Sequence, residues 1–298
     1  MTSGVKRGCG AGFLRLLAAL LIGLGIFLPG TAALAAGGTV ARIEVPVLQR
    51  RLSNGDIRFS VSVRVGGGMP IEAMLDTGSF GLRVMARAVA PTQYEATGIT
   101  RGYGYSSGVV LLGPLARAVV AIGEATTGAP ISIQVVQSVG CGQANPACPA
   151  SRLAPGDYGI GGDGLRREGF DAILGLSMRG SEAPGAAVNP LSVMGSRRWI
   201  VVLPGPGSAA PGRLIINPGV GDLAGFHPVQ LRSLPARADG RPQVVDSEIP
   251  SCPDKPLEQQ SSCAPMMLDS GAAAGVRPFY SYAILFDAEN GAIAVKSR

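Results

Sequence analysis

The sequence has little charge, few aromatic rings and a single histidine, and each shortage closes off a kind of chemistry. Charged residues make up 15% of the 298 positions and aromatics 5%. There is no stripe of Lys and Arg and no basic cluster interleaved with aromatics, so nothing supports nucleic-acid binding. The one histidine, His227, cannot complete a zinc set with His. A serine or cysteine nucleophile normally needs a base, and no convincing triad can be assembled. His227 precedes Pro228 and reads as a surface residue. Helix formers such as Glu and Lys are scarce, no long amphipathic stretch occurs, and no short-period repeat is found. Gly159–Gly164 (GIGGDG) is glycine-rich, but no clear helix follows it, so it reads as loop and not as a phosphate cradle. No metal or organic cofactor is implied.

What is present favours β-structure. The chain is 46% hydrophobic with 44 Gly and 23 Pro, and Val and Ile are common, a balance of strands and turns. The N-terminus reads as a signal peptide over residues 1–35. Lys6, Arg7 and Arg15 form a positive region, 16–28 is an uncharged apolar run, and Ala33-Leu34-Ala35 is an A-x-A cleavage site. The run is short for a membrane span, and no second one follows, so no membrane contact is expected after cleavage. The expected location is exported, periplasmic or extracellular. Export also implies an oxidising compartment. Cys9 leaves with the leader and four cysteines remain. Three pairings are open to them, of which Cys141–Cys148 and Cys252–Cys263 is the local one.

Alternation of polar and apolar residues predicts strands over 58–65 and 131–136. Apolar runs predict others at 71–75, 172–176, 199–203, 213–216 and 228–231. A further strand segment over 108–122 is expected to break at Gly113-Pro114. Residues 282–287 and 292–295 read as a hairpin around Glu289-Asn290-Gly291. Trp199 opens a strand and is expected in the core. Residues 140–169 and 250–264 read as loop excursions, and a Pro/Gly/Ala stretch at 181–190 marks an expected boundary.

One long-range repeat stands out. An apolar strand followed by Asp-[Thr/Ser]-Gly occurs twice, at Asp76-Thr77-Gly78 and Asp269-Ser270-Gly271. Either triplet alone is an ordinary polar turn. Two of them, each behind an apolar strand in one β-rich chain, suggest two carboxylates presented to each other. Like charges that close cannot both ionise, so one carboxyl stays protonated while its neighbour is ionised. Such a pair can take a proton from water and give one to a carbonyl. Thr77 and Ser270 could bond across the interface, while Gly78 and Gly271 let backbone N–H groups approach the carboxylates.

These residues resemble the pepsin-like aspartic peptidases. The resemblance runs in order through Phe59–Val65, Leu75–Ser79, Leu82–Val84, Tyr105-Ser106-Ser107-Gly108, Phe170–Leu176 (FDAILGL), Trp199–Leu203, Gly212–Ile216 and Tyr282–Val295. It implies an all-β, two-lobed fold with an N-terminal lobe over 36–185 and a C-terminal lobe over 186–298. It also implies a secreted endopeptidase acting on an extended peptide or protein at acidic pH. Asp76 and Asp269 would be catalytic, with Thr77, Gly78, Ser79, Ser270 and Gly271 orienting them. Tyr105, Ser106, Ser107 and Gly108 would form a flap over the substrate, and Cys252 and Cys263 occupy the place of a disulfide frequent in the family. A monomer is expected, with a dimer as the alternative. Two departures stand against this. Only 29 residues follow Asp269, where the family has a long stretch of β-structure, so the second lobe is expected to be truncated. Ser79 puts a hydroxyl three residues after Asp76, whereas Ala272 puts none after Asp269. These departures motivate an alternative: a catalytically degenerate relative that keeps its cleft as a peptide- or protein-binding module.

Overall fold

The computed structural model describes residues 41–298 apart from 155, 180–184, 237–239, 241, 252–263 and 273–274. The expected signal peptide and the Cys252–Cys263 pair lie outside the described residues. From Val40 onward the chain forms one compact unit. It is mostly β-sheet, as expected. Among the described residues, α-helix is limited to α1 (Val220–Leu223) and α2 (Arg277–Ser281). Neither is long and apolar enough to cross a membrane.

The first half holds β1 (Ile43–Arg51), β2 (Ile57–Val65), β3 (Ile71–Asp76), β4 (Phe80–Met85), β5 (Glu95–Gly104), β6 (Val109–Ala118), β7 (Val120–Ile122), β8 (Ala125–Thr126), β9 (Ile131–Val136), β10 (Ser138–Cys141) and β11 (Ala172–Leu176). The second holds β12 (Arg198–Val202), β13 (Gly212–Ile216), β14 (His227–Val229), β15 (Arg232–Leu234), β16 (Gln243–Val245), β17 (Ile249–Ser251), β18 (Ala264–Met266), β19 (Tyr282–Asp287) and β20 (Ala292–Ser297). One sheet runs in the order β10-β6-β9-β4-β11-β3-β2-β1-β13-β12-β19-β20-β14, while β15–β16 and β17–β18 stand as separate pairs.

β1 joins the halves, pairing with β2 through Leu48–Arg51 and with β13 through Ile43–Val47. The sequence reading named no strand over these residues. Pro46 lies at an exposed position between the buried Val45 and Val47, so the strand alternation survives around it. The expected break at Gly113-Pro114 is a second correction. β6 continues through it, and a Cβ at residue 113 would stand 2.0 Å from the Val135 carbonyl oxygen. The glycine is there for close approach to the chain at Val135, not for a turn.

The main core crosses both halves. Phe59, Leu75 and Leu82 share it with Trp199, Phe286, Leu268 and Phe279. Trp199 stacks on Phe286 with ring centroids 5.6 Å apart. Each such side chain contributes about 1.5–3 kcal/mol on full burial, and together they hold the two halves in one body.

Candidate active site

Asp76 is the last residue of β3 and lies opposite Gly175 of the parallel β11. A Cβ at residue 175 would come within 2.6 Å of the Phe80 backbone. Only glycine lets the FDAILGL strand pass behind the first Asp turn. Asp269 follows β18 in extended chain, and its N–H donates to the Gly275 carbonyl at 3.1 Å.

The two turns carry the same bonds. Gly78 N–H donates to Asp76 Oδ1 at 2.9 Å, and Gly271 N–H donates to Asp269 Oδ1 at 2.8 Å. They are also laced together. Thr77 N–H donates to Ser270 Oγ at 3.1 Å, and Ser270 N–H donates to Thr77 Oγ1 at 2.9 Å. Each hydroxyl then donates across the interface, Thr77 to the Leu268 carbonyl at 2.9 Å and Ser270 to the Leu75 carbonyl at 2.7 Å. All the donors of this lattice are satisfied in a buried place, where an unmade bond is costly. The glycines let the turns close. A Cβ on Gly78 would stand 2.4 Å from Asp269 Cγ, and one on Gly271 would stand 3.0 Å from Asp76 Oδ1. Each glycine backs onto the other turn's carboxyl, and the two carboxyls share a hydrogen bond.

That contact sets the protonation. Burial first, then the Asp76 charge and the shared hydrogen bond, push Asp269 from 3.8 up to about 7. The N–H groups of Gly271 and Ala272 pull in the other direction. Below neutrality the pair therefore holds a proton, and the proton belongs to the pair.

Ser79 does not do what the resemblance implies. It is buried, and its hydroxyl has no hydrogen-bond partner among the described residues, so it makes no bond to the Asp76 carboxylate. Ala272 lines the cavity beside Asp269 without a hydroxyl.

A cavity of about 450 Å³ opens over the two carboxyls, lined by Met74, Val109, Leu111 and Ile173 on its apolar side and by Arg58 and Asp163 on its polar side. The β5–β6 hairpin tip closes one flank, bringing Tyr105, Ser106 and Ser107 to the cavity. The Tyr105 hydroxyl has no partner among the described residues, and burial raises its phenol well above the ordinary tyrosine range. Gly108 takes a positive φ of +87° in the turn. The tip is braced from outside. Gly142 N–H donates to the Gly108 carbonyl at 2.8 Å, and Asn145 Nδ2 donates to the Ser107 carbonyl at 2.9 Å. Both braces come from the loop closed by the Cys141–Cys148 disulfide.

Two residues of the site escaped the sequence reading. Arg179 donates to the Gly78 carbonyl at 3.2 Å, touches Met267 Sδ at 3.3 Å, and pairs with buried Asp246 at 2.7 Å. It thus ties the chain after β11 to both Asp turns. Asp246 also accepts from Ser177 Oγ at 2.7 Å and Met178 N–H at 2.8 Å. Their only signal in the sequence is being charged in a chain with few charges. Among the described residues no group of three or more His, Cys, Asp or Glu is placed to hold a metal.

No protein-family profile and no curated protein matches this chain. Among solved structures, the crystal structure of the aspartic proteinase from Irpex lacteus is similar, with a TM-score of 0.49 and 13% identity. The likeness covers 86% of this chain and 97% of that one. That neighbour has a two-lobed pepsin-like fold. At this distance nothing about the chemistry of the present chain follows from it.

Proposed function

We propose that the chain is an exported aspartic endopeptidase that hydrolyses peptide bonds through a water activated by Asp76 and Asp269. The observation that supports it most is the pair itself. Two carboxyls in contact stand on turns with matching bonds, share a proton up to about pH 7, and face a cavity of about 450 Å³. The ionised carboxyl takes a proton from water as the water oxygen attacks the scissile carbonyl carbon. The protonated carboxyl gives its proton to the carbonyl oxygen, leaving a tetrahedral diol. Return of a proton to the amide nitrogen then breaks the C–N bond. Tyr105 and the Ser106–Ser107 tip would cover the substrate. No cofactor enters this scheme.

Cleavage of an internally quenched peptide at about pH 4, where such dyads hold one proton, tests the reading. Asp76→Asn and Asp269→Asn should each lose about 10²- to 10⁴-fold in turnover. Wild-type turnover in either variant would end the proposal.

The unpaired Ser79 hydroxyl and the absence of one at Ala272 favour a second reading, a peptide- or protein-binding module with an idle dyad. Peptide binding that persists in wild type without any cleavage would select it.

A further inference from the structure

A second, smaller pocket lies on the other side of the hairpin tip, built around Arg83. On β4 the alternation sends Leu82 and Val84 into the core, so Arg83 points the opposite way, toward β5. It is only 2% exposed. A guanidinium does not give up its proton in a protein, so this is a buried permanent charge, and such a charge is costly unless paired. Its partners are few. Nη1 donates to the Phe80 carbonyl at 2.6 Å, and Nε has no partner among the described residues. Two rings supply the rest. Cζ lies 3.4 Å from the Tyr103 ring centroid and 5.6 Å from that of Phe80. By contrast, Arg58 and Arg179 each have a carboxylate.

Arg83 lines a pocket of about 90 Å³ with Arg101, Gln134, Phe80, Tyr103 and Ala186, enough for about three waters at roughly 30 Å³ each. Two arginines and no acidic residue face it among the described residues. Gln134 lies opposite Arg83 in register and donates to the Arg101 carbonyl at 2.7 Å, which fixes the second arginine's backbone. Tyr103 packs edge-on against Tyr105 with centroids 5.0 Å apart. The pocket is therefore separated from the dyad cavity by a pair of rings.

We infer that this pocket binds a carboxylate and, resting on the peptidase reading, that it receives a Glu or Asp side chain of the peptide substrate. A planar carboxylate suits a guanidinium, and its charge offsets the one that the fold leaves without a carboxylate partner among the described residues.

Matched peptides carrying Glu or Gln at each position around the cleaved bond provide the test, read as kcat/KM at about pH 5.5, where Glu is ionised. One position should prefer Glu roughly tenfold, and in Arg83→Met and in Arg101→Gln that ratio should fall toward one. Arg101 is exposed, so its variant keeps the test open should Arg83→Met fail to fold. Sodium propionate, a free carboxylate, is the second arm. A propionate-dependent rise in Tm that Arg101→Gln abolishes, without any Glu preference, would keep the carboxylate site and overturn the substrate as its source. Neither effect would overturn the whole inference. Glu182 lies outside the described residues but close in sequence to Ala186. A propionate response that emerges only in Glu182→Gln would assign the pocket to the chain's own carboxylate and overturn it too. If the chain cuts no peptide, the same Glu/Gln pairs read by binding affinity, together with the propionate arm, let the pocket and the peptidase reading fail separately.

Discussion

The two Asp turns have the same hydrogen bonds and different foundations. Asp76 ends a strand flanked by β2 and β11 inside the large sheet, and it is 5% exposed. Asp269 follows one strand of the separate β17–β18 pair, outside the large sheet, and is half-buried. Equal bonds on unequal supports show what the site demands. The reciprocal Thr77–Ser270 lattice fixes one turn against the other, so the second turn does not need a sheet of its own. The first turn is the template and the second is held to it.

The comparison can be broken or sharpened in four ways. The largest effect concerns protonation. The carboxyl pair in the folded chain keeps its proton up to about pH 7, with Asp269 pushed up from 3.8, whereas in the unfolded chain it is released near 3.8. Between those values the folded state binds more protons, so stability falls as pH rises through the window. The full span corresponds to at most about 4 kcal/mol. Thermal melts across that range should show the fall in wild type and a flatter profile in Asp269→Asn. A profile unchanged by Asp269→Asn would mean that the second turn does not carry the proton.

Next are the glycines. Gly78→Ala should cost about 3 kcal/mol and disable the site, because the new methyl meets the Asp269 carboxyl at 2.4 Å. Gly271→Ala should cost less, since its nearest obstacle is the flexible end of Met74 at 2.9 Å. Urea denaturation of both variants gives the order, and the reverse order would break the template picture. Thr77→Ala and Ser270→Ala each strand a buried N–H and a buried carbonyl, about 1–3 kcal/mol apiece. A reciprocal lattice predicts similar costs, and less than their sum in the double variant. The smallest effect is at Ser79. Its hydroxyl is buried with no partner among the described residues, so Ser79→Ala should raise stability by about 1 kcal/mol and leave peptide turnover near wild type. A large loss of turnover would restore the carboxylate-orienting role that the resemblance implied.

Most strands and both Asp turns were legible in the sequence because their signals are local: alternation, a glycine behind an apolar run, a repeated triplet. What escaped depends on contacts far along the chain. Arg83 and Arg179 look like any surface arginine until β5 and the Asp turns are folded over them. Tyr103 and Tyr105 are two residues apart and alike on paper, yet one lines the dyad cavity and the other stacks on Arg83. Ser79 shows the converse error: its spacing from Asp76 suggested a bond, and its buried hydroxyl has no partner among the described residues.

The Thr77–Ser270 lattice also says something about timing. Each hydroxyl is the other turn's acceptor, across 193 positions of chain. Neither turn can satisfy its own backbone alone, and contacts of such separation form late because the intervening loop must first be closed. The carboxyl pair therefore comes into being in a single closing event, when the last segment of the chain docks. A nascent or half-folded chain carries two isolated aspartates and no carboxyl pair.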